Sequence, residues 1–150
     1  MRFVGRLFVI FFAFLCACMT AGLTIAFGLL AGQWQLLETD PVAQGAFWIT
    51  SAVGTSFAGA AGFLPLLLVA ILTEALRIRS FLVYALAGVA IALAAYYAWG
   101  FGNPYEESID QAGPIARGIE IVIGAGVVFG LTYWMVAGRK AGAWRDARPR

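Results

Sequence analysis

The chain has 150 residues, of which 62% are hydrophobic and 12% charged, with no histidine and a net charge of +2. Soluble domains run at about half apolar and a quarter charged, so this composition excludes a water-soluble globule. It excludes a disordered chain too, because disorder needs low hydrophobicity and high charge, and mean hydropathy here is +0.86.

An integral membrane protein remains. The small net charge leaves no basic field to attract nucleic acid. Without histidine the commonest zinc ligand, the usual haem ligand and the usual general base near neutral pH are all missing. No metal or cofactor is therefore expected.

A helix needs about 20 mostly apolar residues to cross a bilayer. Four stretches qualify. The first is expected over residues 7–32, behind a short basic lead of Arg2 and Arg6. Its apolar run continues well past the core of a secretory signal, so it reads as a retained span. Residues 15–18 faintly resemble a lipoprotein cleavage box, yet the following residues stay apolar where a released lipoprotein turns polar. Cys16 and Cys18 point roughly 200° apart on a helix and read as small apolar residues. Ala13, Ala17 and Ala21 form one smooth ridge, and Cys18, Gly22 and Ala26 another.

A loop of about 14 residues follows, carrying Glu38, Asp40 and Pro41 between Trp34 and Trp48. The second span is expected over 47–73 and is the most polar of the four. Thr50, Ser51, Thr55 and Ser56 cluster in its first half, and Pro65 interrupts its second half. Hydroxyls of this kind either back-bond to helix carbonyls or line a pore, and a proline either bends the helix or forms a hinge. Gly59 and Gly62 give this span its smooth face. Glu74 has Arg77 three residues on, so a local surface pair suffices for it.

The connection to the third span holds Arg77 and Arg79. That span is expected over 80–101, with Gly88 as its packing glycine. The next loop contains Asn103 to Asp110, whose acids lack the alternating pattern of a calcium loop and read as a solvated turn. The fourth span is expected over 118–138, with Gly126 and Gly130 in a GxxxG arrangement. Arg117 and Glu120 stand at its start, three apart on one face. They form either a local ion pair or a proton-responsive carboxylate tuned by its arginine. The tail 139–150 is basic, carries Trp144, and suits anionic headgroups.

Nine of the ten Lys and Arg residues fall on one side of these spans, and only Arg117 on the other. Positive charge stays cytoplasmic during insertion, so both termini are expected in the cytoplasm. Short connections favour antiparallel neighbours. The expected fold is thus a single all-α membrane domain, an up-down-up-down four-helix bundle. Its general look is that of small four-span inner-membrane proteins of bacteria.

No enzyme signature is present: no GxSxG, P-loop or HExxH, and no deep pair of carboxylates. The expected role is a non-enzymatic accessory or scaffold subunit that packs on itself or in a larger membrane complex through small-residue faces. The alternative is a small oligomeric channel or transporter. It would use Ser51, Thr55, Ser56 and Pro65 together with the Arg117/Glu120 pair.

Overall fold

Asp40 stands in extended backbone, and its Oδ1 accepts a hydrogen bond from the Val42 amide at 2.9 Å. Pro41 follows in the first helical turn. The carboxylate satisfies an otherwise orphaned amide, and proline has none to satisfy. A long helix therefore starts at this point, earlier than its apolar run suggests.

The computed structural model describes residues 2–99 and 114–140. Among these the secondary structure is entirely helical: α1 (Arg2–Leu30), α2 (Trp34–Thr39), α3 (Pro41–Leu76), α4 (Phe81–Ala98) and α5 (Pro114–Val136). Short 3-10 turns cover Ala31–Gln33 and Gly138–Lys140. Four helical segments are long and apolar enough to cross a membrane: Val4–Leu30, Pro41–Leu76, Phe81–Ala98 and Gly118–Val136.

These match the four expected spans with shifted bounds. The first and second are joined by helix, not by an open loop, because the 3-10 turn and α2 fill most of the connection. Gln44 Nε2 donates to the Leu37 carbonyl at 3.0 Å and fastens α2 to the start of α3. Pro65 does not end the second span, for α3 runs unbroken through it to Leu76. Arg77 then takes a left-handed conformation (φ 55°, ψ 34°), and its amide returns to the Thr73 carbonyl. The Ile78 amide reaches the same oxygen at 3.0 Å. A non-glycine residue adopts that conformation at a cost of about 1 kcal/mol, and here it ends the helix abruptly.

Lipid tails are as apolar as leucine, so helices in a bilayer associate by close backbone packing. Glycine supplies it twice. On α1 and α3, Gly22 meets Gly54: a Cβ built on Gly54 would lie 3.2 Å from the Gly22 Cα. On α4 and α5, a Cβ on Gly126 would lie 2.8 Å from both the Gly88 carbonyl and the Val89 Cα. One on Gly130 would lie 3.0 Å from the Ala85 Cα. The bundle is thus two glycine-packed pairs, α1 with α3 and α4 with α5.

The pairs are joined through α1 and α5. Phe14 meets Phe129 edge to face, with ring centroids 6.4 Å apart, and both rings are buried. Beside them Thr20 and Thr132 hydroxyls hydrogen-bond at 3.1 Å. Consecutive helices α3 and α4, by contrast, touch little. The bundle is open along that side.

Candidate functional site

Three features bring chemistry-bearing groups together, and the most charged lies at one end of the bundle. Arg6 sits in the first turns of α1 and Glu74 in the last turn of α3. The Arg6 Nε donates to Glu74 Oε1 at 2.7 Å, and its Nη2 donates to the same oxygen. Nη2 also donates to the Ala137 carbonyl, just past α5, at 2.8 Å. A helix C-terminus leaves carbonyls unpaired and carries partial negative charge, so a guanidinium is well placed there. The two side chains are 14% and 17% exposed, shielded from the medium by the elements they join.

The start of α4 completes the cluster. The Tyr84 hydroxyl donates to the Ile78 carbonyl at 3.3 Å and also contacts Thr73. Its ring lies 5.8 Å from that of Tyr133 on α5. Nearby, Trp134 Nε1 donates to the Arg79 carbonyl at 2.8 Å, and the Arg139 guanidinium lies 5.7 Å from the Trp134 ring centroid. All four long helices are thereby tied at one end by a polar knot.

Glu74 is consequently not the solvated surface carboxylate that its neighbour Arg77 suggested. It pairs with Arg6, 68 residues away in sequence. A signal did exist: Arg6 opens the first span and Glu74 closes the second, and antiparallel neighbours bring such ends together. Arg77 itself occupies the left-handed turn that ends α3.

The second feature is the Thr20–Thr132 contact, where Thr20 Oγ1 also lies 3.1 Å and 3.0 Å from the Cys16 and Ala17 carbonyls. The third is a groove of about 390 Å³ between α3 and α4, floored by α1 and α5. Thr50 and Tyr96 line it at one end, and Gly62, Gly88 and Phe129 at the other. Phe57 packs on Trp99 with centroids 4.0 Å apart, linking α3 to the far end of α4.

The polar residues expected on the second span do not converge. Ser51 and Thr55 face α1, where a side chain on Gly22 would collide with both residues. Ser51 is 6% exposed, and its Oγ has no hydrogen-bond partner. Ser56 is exposed on another face and back-bonds to the Ala52 carbonyl at 2.9 Å. Pro65 is half-buried, away from the groove lining. Glu120 is exposed, and the side chain of Arg117 lies outside the described residues, as do the Asn103–Asp110 loop and most of the basic tail.

The packing glycines separate into two kinds. Gly88, Gly126 and Gly130 bring two backbones together, and Gly62 accommodates the Phe129 ring. Gly59 is looser: a Cβ there would meet only the Cys18 Sγ, at 3.9 Å. Cys16 and Cys18 are both free thiols, half-buried and buried.

Compared with protein families, curated proteins and solved structures, the chain matches none.

Proposed function

We propose that this chain is a multi-pass protein of the bacterial inner membrane, an up-down-up-down bundle with both termini in the cytoplasm. Its role is that of a non-enzymatic accessory or scaffold subunit in a membrane assembly. The observation that carries this reading is where the polar groups go. Arg6, Glu74, Thr20, Thr132, Ser51 and Thr55 all lie at helix-to-helix contacts. Groups used in this way fix the shape of a bundle and do not line an aqueous path. Outward faces, meanwhile, carry large apolar side chains such as Phe8, Leu64 and Leu86.

Orientation draws support from charge. Arg6, Arg79 and Arg139 gather at the knotted end, and the Asp40 cap lies at the other end of α3. Basic residues are retained in the cytoplasm, which assigns the knotted end to that side. Single cysteines test this in a variant lacking Cys16 and Cys18. Thr39→Cys is expected to react with an impermeant maleimide in intact cells, and Arg79→Cys only after permeabilisation. The reverse pattern overturns the orientation.

Function is tested by purification from native membranes in a lipid-preserving medium, reading mass and companions together. Recovery in a larger assembly at fixed stoichiometry supports the subunit role. A companion-free small oligomer whose proton or ion flux in liposomes is abolished by Glu120→Gln overturns it in favour of a carrier.

A further inference from the structure

We propose that the knotted end of the bundle binds the phosphodiester of an anionic phospholipid at Arg79 and Arg139, beside the Trp134 indole. The basic tail suggests headgroup contact in general. The fold adds a particular place, because Arg79 belongs to the turn between α3 and α4 and Arg139 follows α5. This rests on the membrane-crossing helices and is independent of the subunit role.

Trp134 assembles the place. Its Nε1 donates to the Arg79 carbonyl at 2.8 Å, which ties α5 to that turn. Its ring meets Phe81, the first residue of α4, edge to face with centroids 6.0 Å apart. The Arg139 guanidinium lies 5.7 Å from the ring centroid, within cation–π range. A Cβ on Gly138 would lie 2.8 Å from the indole Cδ1, so a side chain there would push the ring aside. One fixed indole thus brings together two exposed arginines from distant parts of the sequence.

Charge and polarity name the occupant. Among the described residues the acid at this end is Glu74, and Arg6 holds it. With Arg77, Arg79 and Arg139 all exposed, the surface there is strongly basic. A guanidinium fork matches phosphate oxygens with two parallel hydrogen bonds, and an indole favours the headgroup level. Beside the arginines the surface turns apolar, with Phe81 48% and Leu82 56% exposed. A basic rim next to an apolar wall fits an anion that carries hydrocarbon chains. A soluble phosphate would use the rim alone.

The test uses the full chain in a mild detergent. It is titrated with phosphatidylglycerol, or with phosphatidylcholine of identical acyl chains, and native mass spectrometry counts the bound lipid. Phosphatidylglycerol is expected to bind saturably, and severalfold more tightly than phosphatidylcholine. One arginine near an anionic surface contributes about fivefold in affinity. Arg79→Gln and Arg139→Gln should therefore each weaken phosphatidylglycerol binding by about that factor. Arg117→Gln removes a charge at the start of α5, the other end of that helix, and should leave binding unchanged.

Equal affinity for the two lipids overturns the proposal and leaves the membrane reading intact. So does a loss in Arg117→Gln as large as in the other two variants, which would mark diffuse charge attraction. Displacement of the lipid by excess inorganic phosphate overturns the lipid assignment, since an anion without chains would then suffice. Should both arginine variants misfold, salt is raised against the wild-type chain. Phosphatidylglycerol binding that weakens as salt screens the arginines supports the site, and binding indifferent to salt overturns it.

Discussion

Arg6 concentrates inter-element bonding, since one guanidinium joins α1, α3 and the end of α5. Removing one member of a shielded ion pair leaves the other charge without compensation, which costs more than the pair itself contributes. Glu74→Ala is expected to lower stability by about 2–4 kcal/mol, measured by denaturant titration in mixed micelles. Arg6→Met should cost at least as much, because it strands the Glu74 carboxylate and also uncaps the Ala137 carbonyl. In the double variant the losses should fall short of additive by about 1–3 kcal/mol, the sign of direct coupling. Full additivity would show that the two side chains act separately. Thr20→Val is milder: hydrogen bonds between membrane helices average about 0.6 kcal/mol.

Between helices, spacing and contact separate what sequence alone treats alike. Gly59 and Gly130 both stand in small-residue rows of apolar spans, and both read as packing positions. The structure gives Gly130 the backbone of α4 as neighbour and gives Gly59 only a sulfur at ordinary contact distance. Alanine is favoured over glycine inside a helix by about 1 kcal/mol when nothing obstructs its methyl group. Gly59→Ala is therefore expected to be neutral or to stabilise by up to about 1 kcal/mol. Gly130→Ala should force α4 and α5 apart and destabilise by about 1–3 kcal/mol, as overpacking does. Thermal unfolding of the two variants side by side checks the difference, and equal losses would contradict it.

That contrast marks how far the sequence was legible. Apolar length is a property of each segment, so four spans could be counted before any packing was known. The Asp40–Pro41 start was visible as a residue pair, but the hydrogen bond that its carboxylate accepts from the Val42 amide depended on helix forming there rather than loop. Facing is a different matter. Every side of these helices is apolar, so nothing in the pattern said which glycine row met which neighbour. Nor did it say that Ser51 would face α1 while Ser56 faced outward. Glu74 was read only in part for the same reason, since its local neighbour was evident and its distant partner Arg6 depended on helix arrangement. The groove had no local signal at all; it arises because α3 follows α1 and α4 follows α5.

At the scale of the whole molecule, two glycine-packed pairs are held together along α1 and α5 and at the polar knot, and stand apart at the groove. Phe129 is central to the joint. It is 5% exposed, packs edge to face on Phe14, and lies against Gly62 on the α3 side. In water, Phe→Ala in a core costs about 3–5 kcal/mol, a sum of lost hydrophobic transfer and an unfilled cavity. Within lipid the transfer contribution nearly vanishes, because an exposed phenyl ring is solvated by acyl chains. Only the packing loss remains. Phe129→Ala is thus expected to cost about 2 kcal/mol, clearly less than in a soluble protein. Phe129→Leu should recover much of that loss by refilling the gap.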